Sequence, residues 1–468
     1  MTDRLALDAP REEVLAVASG LIADAWRSFD RSRPDQPPIG GRVHDLLQLP
    51  LPEVGSPAAE VLGDAAALLD ESIAQPRPRY FAFVGSSGLE IGVIGDALAA
   101  CFDVNLAAWA AAATQAEEQA IRWVAEFLGY PAEAGSFTSG GTVSNLTALA
   151  AAREHAVPGA RADGLAGRPL AIYCSDEAHY SVMRAAELLG IGSKLVRGLA
   201  CDADRRVRPE LVEAAIERDR ADGIVPVAVV ATAGTTLTGA VDPIDTLADV
   251  CERRGVWLHV DGAYGLPAAA TARARSRFAG LDRADSLSLD AHKWLYLPKA
   301  CGVVLVRRRE SLSRAFAHHE AYMPHERGPE NAVDITLEYS RPFRALKLWL
   351  AFRVHGAAAF RAAIERNLHH AELLQATIVA HPDLQAALAH PQLSTVPFRH
   401  APAGCADLNA HNAALAAAMQ QDGRVWVAPA TIDGDVYLRP CFVNFRTTDA
   451  DVEALVEVAL ELGARLDG

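Results

Sequence analysis

Apolar positions along this chain follow two periods, and the alternation between them carries most of the architecture. From about residue 77 to 310, short apolar runs lie at 170–174, 225–232, 256–260, 287–289 and 302–306, with helical patterns between most of them. Each run is short and continuous enough to be a strand buried on both faces, which predicts a mainly parallel sheet with helices on either side. Ahead of these runs, Ile121, Val124, Phe127 and Leu128 share one face of a predicted helix that Gly129 ends. Thr114 and Glu117 have capping-box spacing at its start. The first ~75 residues read as helical but not self-sufficient. Val14, Val17, Leu21 and Ala25 recur at helical spacing, and Pro34, Pro37, Pro38, Gly40 and Gly41 then break the chain. Such a segment is either a cap on its own domain or an arm that packs on a second subunit. Beyond about residue 345 come long helical patterns, strands expected at 425–427 and 436–440, and a closing helix from Asp451. Three parts are therefore expected: an N-terminal helical arm (1–76), a large α/β domain (77–345) and a small C-terminal α+β domain (346–468).

Charge and cysteine usage narrow the function classes. Among 468 residues, 44 Lys+Arg face 59 Asp+Glu, a formal net charge of −15. A net-acidic surface argues against nonspecific binding to nucleic acid or to anionic membranes, where exposed positive charge supplies the affinity. The seven cysteines form no CxxC pair and are odd in number, a pattern that suits a reducing cytoplasm rather than a disulfide framework or zinc knuckle. The N-terminus opens polar, without the apolar core of a signal peptide, and the Ala-rich stretch 106–113 is far short of a membrane span. HExxH is absent, and the histidines at 318, 319, 325, 369 and 370 suggest a metal only by their number, so no metal is expected.

Four features at strand-to-loop positions could do chemistry, and in an open α/β sheet this is where ligands bind. Ser139-Gly140-Gly141-Thr142 precedes a helical run and offers bare N–H groups to a phosphate. Asp261 ends an apolar run, where a carboxylate needs a partner: a cationic ring nitrogen, a metal, an Arg, or the next loop, which it would cap. Lys293 follows another run, beside Trp294 and Leu295, and partial burial would favour its neutral, nucleophilic amine. His179 sits just past the run at 170–174, at the same end of the sheet. A phosphate cradle, an acid, a lysine and a stackable imidazole are together what pyridoxal phosphate requires: the lysine holds the aldehyde, and the acid keeps the ring nitrogen protonated.

The motifs that carry these residues resemble the group II pyridoxal-phosphate-dependent amino acid decarboxylases, the family of aromatic-L-amino-acid, glutamate and histidine decarboxylases. They are PRYFAFV from Pro78, TSGGTVSNLTALAAAR from Thr138, SDEAHYSVMRA from Ser175, VATAGTT from Val230, WLHVDGAY from Trp257, ADSLSLDAHKW from Ala284 and SRPFRALKLW from Ser340. The resemblance implies a fold-type-I, aspartate-aminotransferase-like enzyme and a homodimer with active sites at its interface. It implies Lys293 as the lysine of the internal aldimine and Asp261 as partner of the pyridinium nitrogen. His179 would stack on the ring and touch the substrate, Gly141 and Thr142 would hold the phosphate with Thr236 and His292, and Ala263 would cover the other ring face. Asp290 stands where some relatives carry Asn, placing a second anion near the phosphate.

In such decarboxylases a loop after the lysine brings a tyrosine that protonates the substrate's α-carbon. Tyr322, 29 residues past Lys293, stands at the matching position. The expected reaction is decarboxylation of an L-amino acid to the amine and CO2. The alternatives are a decarboxylating aldehyde synthase and a carbon–carbon lyase acting on a β-hydroxy substrate. Phe83 and Ser86 are the candidate substrate contacts, and Tyr80, Phe81 and Trp109 add aromatic surface. Ala107 stands where animal aromatic decarboxylases place a ring, so an aromatic substrate and a non-aromatic one both remain open. A nucleotide-binding oxidoreductase would need a GxGxxG turn, and residues 85–95 lack that spacing.

Overall fold

The structure, a computed structural model, describes residues 7–31, 39–318 and 331–466. Seven strands form the main sheet: β1 (Ala134–Thr138), β2 (Leu170–Ser175), β3 (Val196–Leu199), β4 (Val225–Thr232), β5 (Trp257–Asp261), β6 (Ser286–Asp290) and β7 (Gly302–Val306), in the spatial order β1-β7-β6-β5-β4-β2-β3. β3, β2, β4, β5 and β6 are parallel, while β7 runs antiparallel to both of its neighbours. β1 and β3 escape the apolar-run criterion because one carries Gly135 and Ser136 and the other is only half-buried.

Residues alternate across a strand, and here the alternation separates packing from chemistry. Leu258 and Val260 of β5, with Leu287 and Leu289 of β6, face one core cluster, which includes the helices Ala112–Leu128 and Ile244–Arg254. The intervening residues Trp257, His259 and Asp261, and Ser286, Ser288 and Asp290, face the other way. That face is covered by the helix Gly141–Ala156, whose own Ser144, Asn145 and Thr147 are buried. Polar residues of two strands and one helix are thus packed together, and each must find a partner.

A second, antiparallel sheet of order β10-β11-β9-β8 comprises β8 (Leu384–Ala386), β9 (Phe398–His400), β10 (Pro429–Ile432) and β11 (Asp435–Leu438). With the helices Leu408–Asp422 and Asp449–Leu466 it has its own core around Phe398, Leu415 and Leu455. The helix Ala345–Ala380, kinked at Gly356, contributes Leu348 and Phe360 to the first core and Leu374 and Ile378 to that of the second sheet. The N-terminal helices Arg11–Phe29 and Ala58–Asp70 bury no residue fully, leaving Leu15 and Val61 exposed. Among the described residues, no helix is long and apolar enough to cross a membrane.

Two local expectations are corrected. The helix after the Ala-rich stretch starts at Ala112, so Thr114 lies inside its first turn, and its hydroxyl accepts from Ala110 N at 2.9 Å instead of capping from outside. Glu117 is not a capping acid: it is buried and paired with Arg341. Residues 425–427 are not a strand of the small sheet. Trp426 instead bridges the segment near Tyr80, donating to Arg79 O (3.0 Å) and accepting from Phe81 N (2.8 Å), with the Tyr80 and Trp426 rings stacked 6.5 Å apart. Their apolar character serves a clasp between distant segments, which no local pattern encodes.

Candidate active site

The C-terminal ends of β4, β5 and β6 open on a cavity of about 340 Å3. Gly141, Thr142, His179, Thr236, Asp261, Ala263, His292 and Lys293 all line it, although they come from five separate segments of the chain. Phe83 and Ser86 do not line it: Phe83 is exposed, and the Ser86 hydroxyl donates to Leu297 O at 2.7 Å. Val84, between them, lines the cavity instead. Tyr322 lies outside the described residues.

Lys293 sits in a single helical turn, Ala291–Trp294, directly after β6. Its Nζ is 2.9 Å from Asp290 Oδ2, an ion pair whose carboxylate is almost wholly buried. The other oxygen, Asp290 Oδ1, has no hydrogen-bond partner. His292 Nε2 is 3.8 Å from the same Oδ2, and its Nδ1 lies against Cys301 O and N (3.1 and 3.2 Å). Burial lowers the His292 pKa, with Asp290 opposing.

Asp261 accepts three hydrogen bonds: Asn145 Nδ2 at 2.8 Å on Oδ2, and Ala263 N at 3.1 Å and Ser288 Oγ at 3.3 Å on Oδ1. Only donors converge on it, as an acceptor-only carboxylate requires. His179 Nδ1 lies 2.9 Å from Ser181 Oγ and 3.3 Å from Ser181 N. Burial lowers the pKa of this imidazole too, while the Asp261 charge pulls it back up.

The phosphate end can be tested on Gly141. It is the first residue of the helix Gly141–Ala156, whose first backbone bonds run from Val143 and Ser144 to Gly140 O, so the Gly141 and Thr142 N–H groups precede them. A Cβ on Gly141 would lie 2.9 Å from Ala263 Cβ and 3.1 Å from Asp290 Oδ2. The cradle therefore admits only a hydrogen there. Asn145 and Ser181 also line the cavity and His259 lies behind it; all three escaped the sequence reading. The signals were present: Asn145 is four residues after Gly141 on one helix face, and His259 shares the Trp257 and Asp261 face of β5.

Residues 41–401 match the pyridoxal-dependent decarboxylase conserved domain. The chain belongs to the pyridoxal-dependent decarboxylase family. It is 34% identical over 477 residues to an aromatic-L-amino-acid decarboxylase of Bacillus atrophaeus, covering 99% of this chain and 97% of that relative. It is 32% identical over 437 residues to an L-2,4-diaminobutyrate decarboxylase of Rhizobium meliloti (strain 1021), covering 92% and 86%. Its fold is similar to the crystal structure of Oryza sativa TDC with PLP and tryptamine, with a TM-score of 0.92 and 25% identity over 100% of both chains. As a member of this family the protein is a pyridoxal-phosphate-dependent carboxy-lyase of fold type I. The cavity fits that cofactor: a Cβ-free helix N-terminus for the phosphate, a carboxylate oriented by three donors with acceptor capacity left for a cationic ring nitrogen, and a lysine amine at the edge.

Proposed function

We propose that this pyridoxal-dependent decarboxylase converts an aromatic L-amino acid to its amine and CO2, as a homodimer in the reducing cytoplasm. The observation that carries the reading is the meeting of Lys293, Asp261 and His179 around one cavity. In three proposed parts, residues 1–76 form an arm, 77–345 the cofactor domain and 346–468 a small domain. The dimer is supported by apolar surface left open on the single chain, with Leu51 and Val54 more than four-fifths exposed. All seven cysteines are free.

When bound, the cofactor supplies an electron sink for the carbon that loses CO2. The residues do the rest. Lys293 holds the cofactor through Nζ, leaving Asp290 to do so. The N–H groups of Gly141 and Thr142, with Thr236 and His292, hold the phosphate. Asp261 keeps a proton on the ring nitrogen. His179 and Ala263 would cover the two faces of the cofactor ring, and His179 would touch the substrate, with Phe83 and Ser86 as contacts outside the cavity lining. Tyr322 would return a proton to the substrate's α-carbon, and the Lys293 amine would hold the cofactor between turnovers. The aromatic substrate draws support from the Bacillus relative and from the tryptamine named with the rice structure.

The test is product analysis by mass spectrometry, in air, with each common L-amino acid, L-DOPA and 2,4-diaminobutyrate. An aromatic amine with equimolar CO2 is the expected result. An aldehyde with equimolar hydrogen peroxide and ammonia would replace this reading by the synthase. Cleavage of β-hydroxy amino acids alone would replace it by the lyase. Lys293→Ala turning over at the native rate would remove the assignment of that lysine. Tyr322→Phe is expected to divert product from amine to aldehyde.

A further inference from the structure

From the cavity wall into the core behind it, buried side chains from β5, β6 and two helices share one hydrogen-bond chain whose direction follows from donors and acceptors alone. Asp261 Oδ2 accepts, so the Asn145 atom 2.8 Å from it is the amide nitrogen, and the same nitrogen gives its second proton to Ser181 Oγ at 2.9 Å. Asn145 Oδ1 therefore faces His259 Nε2, at 3.0 Å, and can only accept. His259 is fully buried with no ion pair, and burial drives its pKa down to about 4, so the ring is neutral with its proton on Nε2. Its Nδ1 is then an acceptor for the Ser286 hydroxyl at 2.9 Å. Ser286 Oγ in turn accepts from Trp257 Nε1–H at 2.8 Å, a group that only donates. On the other branch, Ser181 N–H points at His179 Nδ1, so this nitrogen is also an acceptor, taking the Ser181 hydroxyl proton as well. A neutral His179 thus carries its own proton on Nε2.

We propose that Asn145 is a positioning residue that sets two groups of the reaction at once. One amide N–H orients the Asp261 carboxylate, and the other, through Ser181, fixes His179 as the Nε2–H tautomer, a hydrogen-bond donor on the cavity side. Trp257, Ser286 and His259 lock the amide in that orientation. A flipped amide would set Oδ1 against Asp261 Oδ2, two acceptors 2.8 Å apart, and would turn its N–H toward the His259 N–H. Every member of the chain is buried or half-buried, so water cannot substitute for a lost partner without cost. The proposal rests on the roles assigned above to Asp261 and His179, and it concerns what holds them.

The experiment is [15N]histidine NMR of the holoenzyme, with Asn145→Asp and Ser286→Ala as variants. In the native protein, His259 and His179 are expected as neutral rings protonated on Nε2. Asn145→Asp keeps the shape but sets a carboxylate against Asp261. It is expected to perturb both histidine signals, weaken pyridoxal phosphate binding at least tenfold and lower kcat/KM at least tenfold. Ser286→Ala, which touches neither cavity nor cofactor, is expected to release His259 to the Nδ1–H tautomer and to lower kcat/KM severalfold. A native His179 protonated on Nδ1 overturns the proposal without any variant. So does an Asn145→Asp enzyme with native cofactor affinity and kinetics. If the cofactor-site reading itself were wrong, Asp261→Asn and Lys293→Ala would also bind pyridoxal phosphate normally. Impairment in those two variants beside a normal Asn145→Asp isolates the failure to this inference.

Discussion

Replacing Gly141 by Ala adds one methyl group at the tightest point of the phosphate cradle. The new Cβ would stand 2.9 Å from Ala263 Cβ and 3.1 Å from Asp290 Oδ2, where relaxed carbon contacts lie at about 3.5–4.0 Å. Neither neighbour yields easily. Ala263 Cβ is fixed to the backbone, whose N–H is held by Asp261 Oδ1, and Asp290 is almost wholly buried. Overpacking of this kind costs about 1–3 kcal/mol. If that strain falls on the cofactor-bound state, at about 1.4 kcal/mol per factor of ten, pyridoxal phosphate binds roughly 5- to 150-fold more weakly. The assay is titration of apoenzyme with pyridoxal phosphate, followed by cofactor absorbance, alongside a thermal scan of the apo form to register any general destabilisation. Ala263→Gly in the same background removes the 2.9 Å contact, so a double-mutant cycle should return a coupling of about 1 kcal/mol or more between the two positions. A Gly141→Ala protein that binds cofactor within twofold of native, or a cycle with no coupling, would refute the steric argument.

Two further outcomes follow from the buried charges. Arg341 and Glu117 pair with side chains 2% and 7% exposed, so Arg341→Met leaves an unpaired carboxylate and should cost about 3–5 kcal/mol in urea unfolding. Adding Glu117→Leu should recover most of it, and a single-variant loss below about 1 kcal/mol would contradict the pairing. His259, whose pKa burial depresses to about 4, contributes stability that is present above its unfolded value near 6.5. That stability is lost as pH falls through 6.5 toward 4, about 3 kcal/mol in all at roughly 1.4 kcal/mol per unit. His259→Asn should flatten the pH dependence of the unfolding midpoint by one proton across that window, and an unchanged slope would show that His259 does not titrate this way.

The sheet was legible because its strands are continuous apolar runs. The expected run at 225–232 is β4, and those at 170–174, 256–260, 287–289 and 302–306 fall within a residue or two of β2, β5, β6 and β7. β1 was not, because burial on both faces there is achieved by Gly135 and Ser136, which carry no hydrophobic signal. The clasp of Trp426 on Tyr80 was misread as a strand for the converse reason: apolar character records burial but not the partner that buries it.

The cofactor motifs were readable in the same way, since each strand-to-loop junction announces its polar residue locally. Periodicity determined the fold class, and the resemblance of the ordered motifs to a known family pointed to the family and to eight of the residues that line the cavity. Those properties are written in short stretches whose order and spacing together carry a meaning that no single strand end or Gly-Gly turn has. Only the tertiary structure decided the rest. It paired Lys293 with Asp290, put Val84 rather than Phe83 or Ser86 in the cavity lining, and joined Asn145 to Asp261, 116 residues further along the chain. Hydrogen bonds depend on which faces meet across the packed layers, and a sequence records the faces but not their meeting.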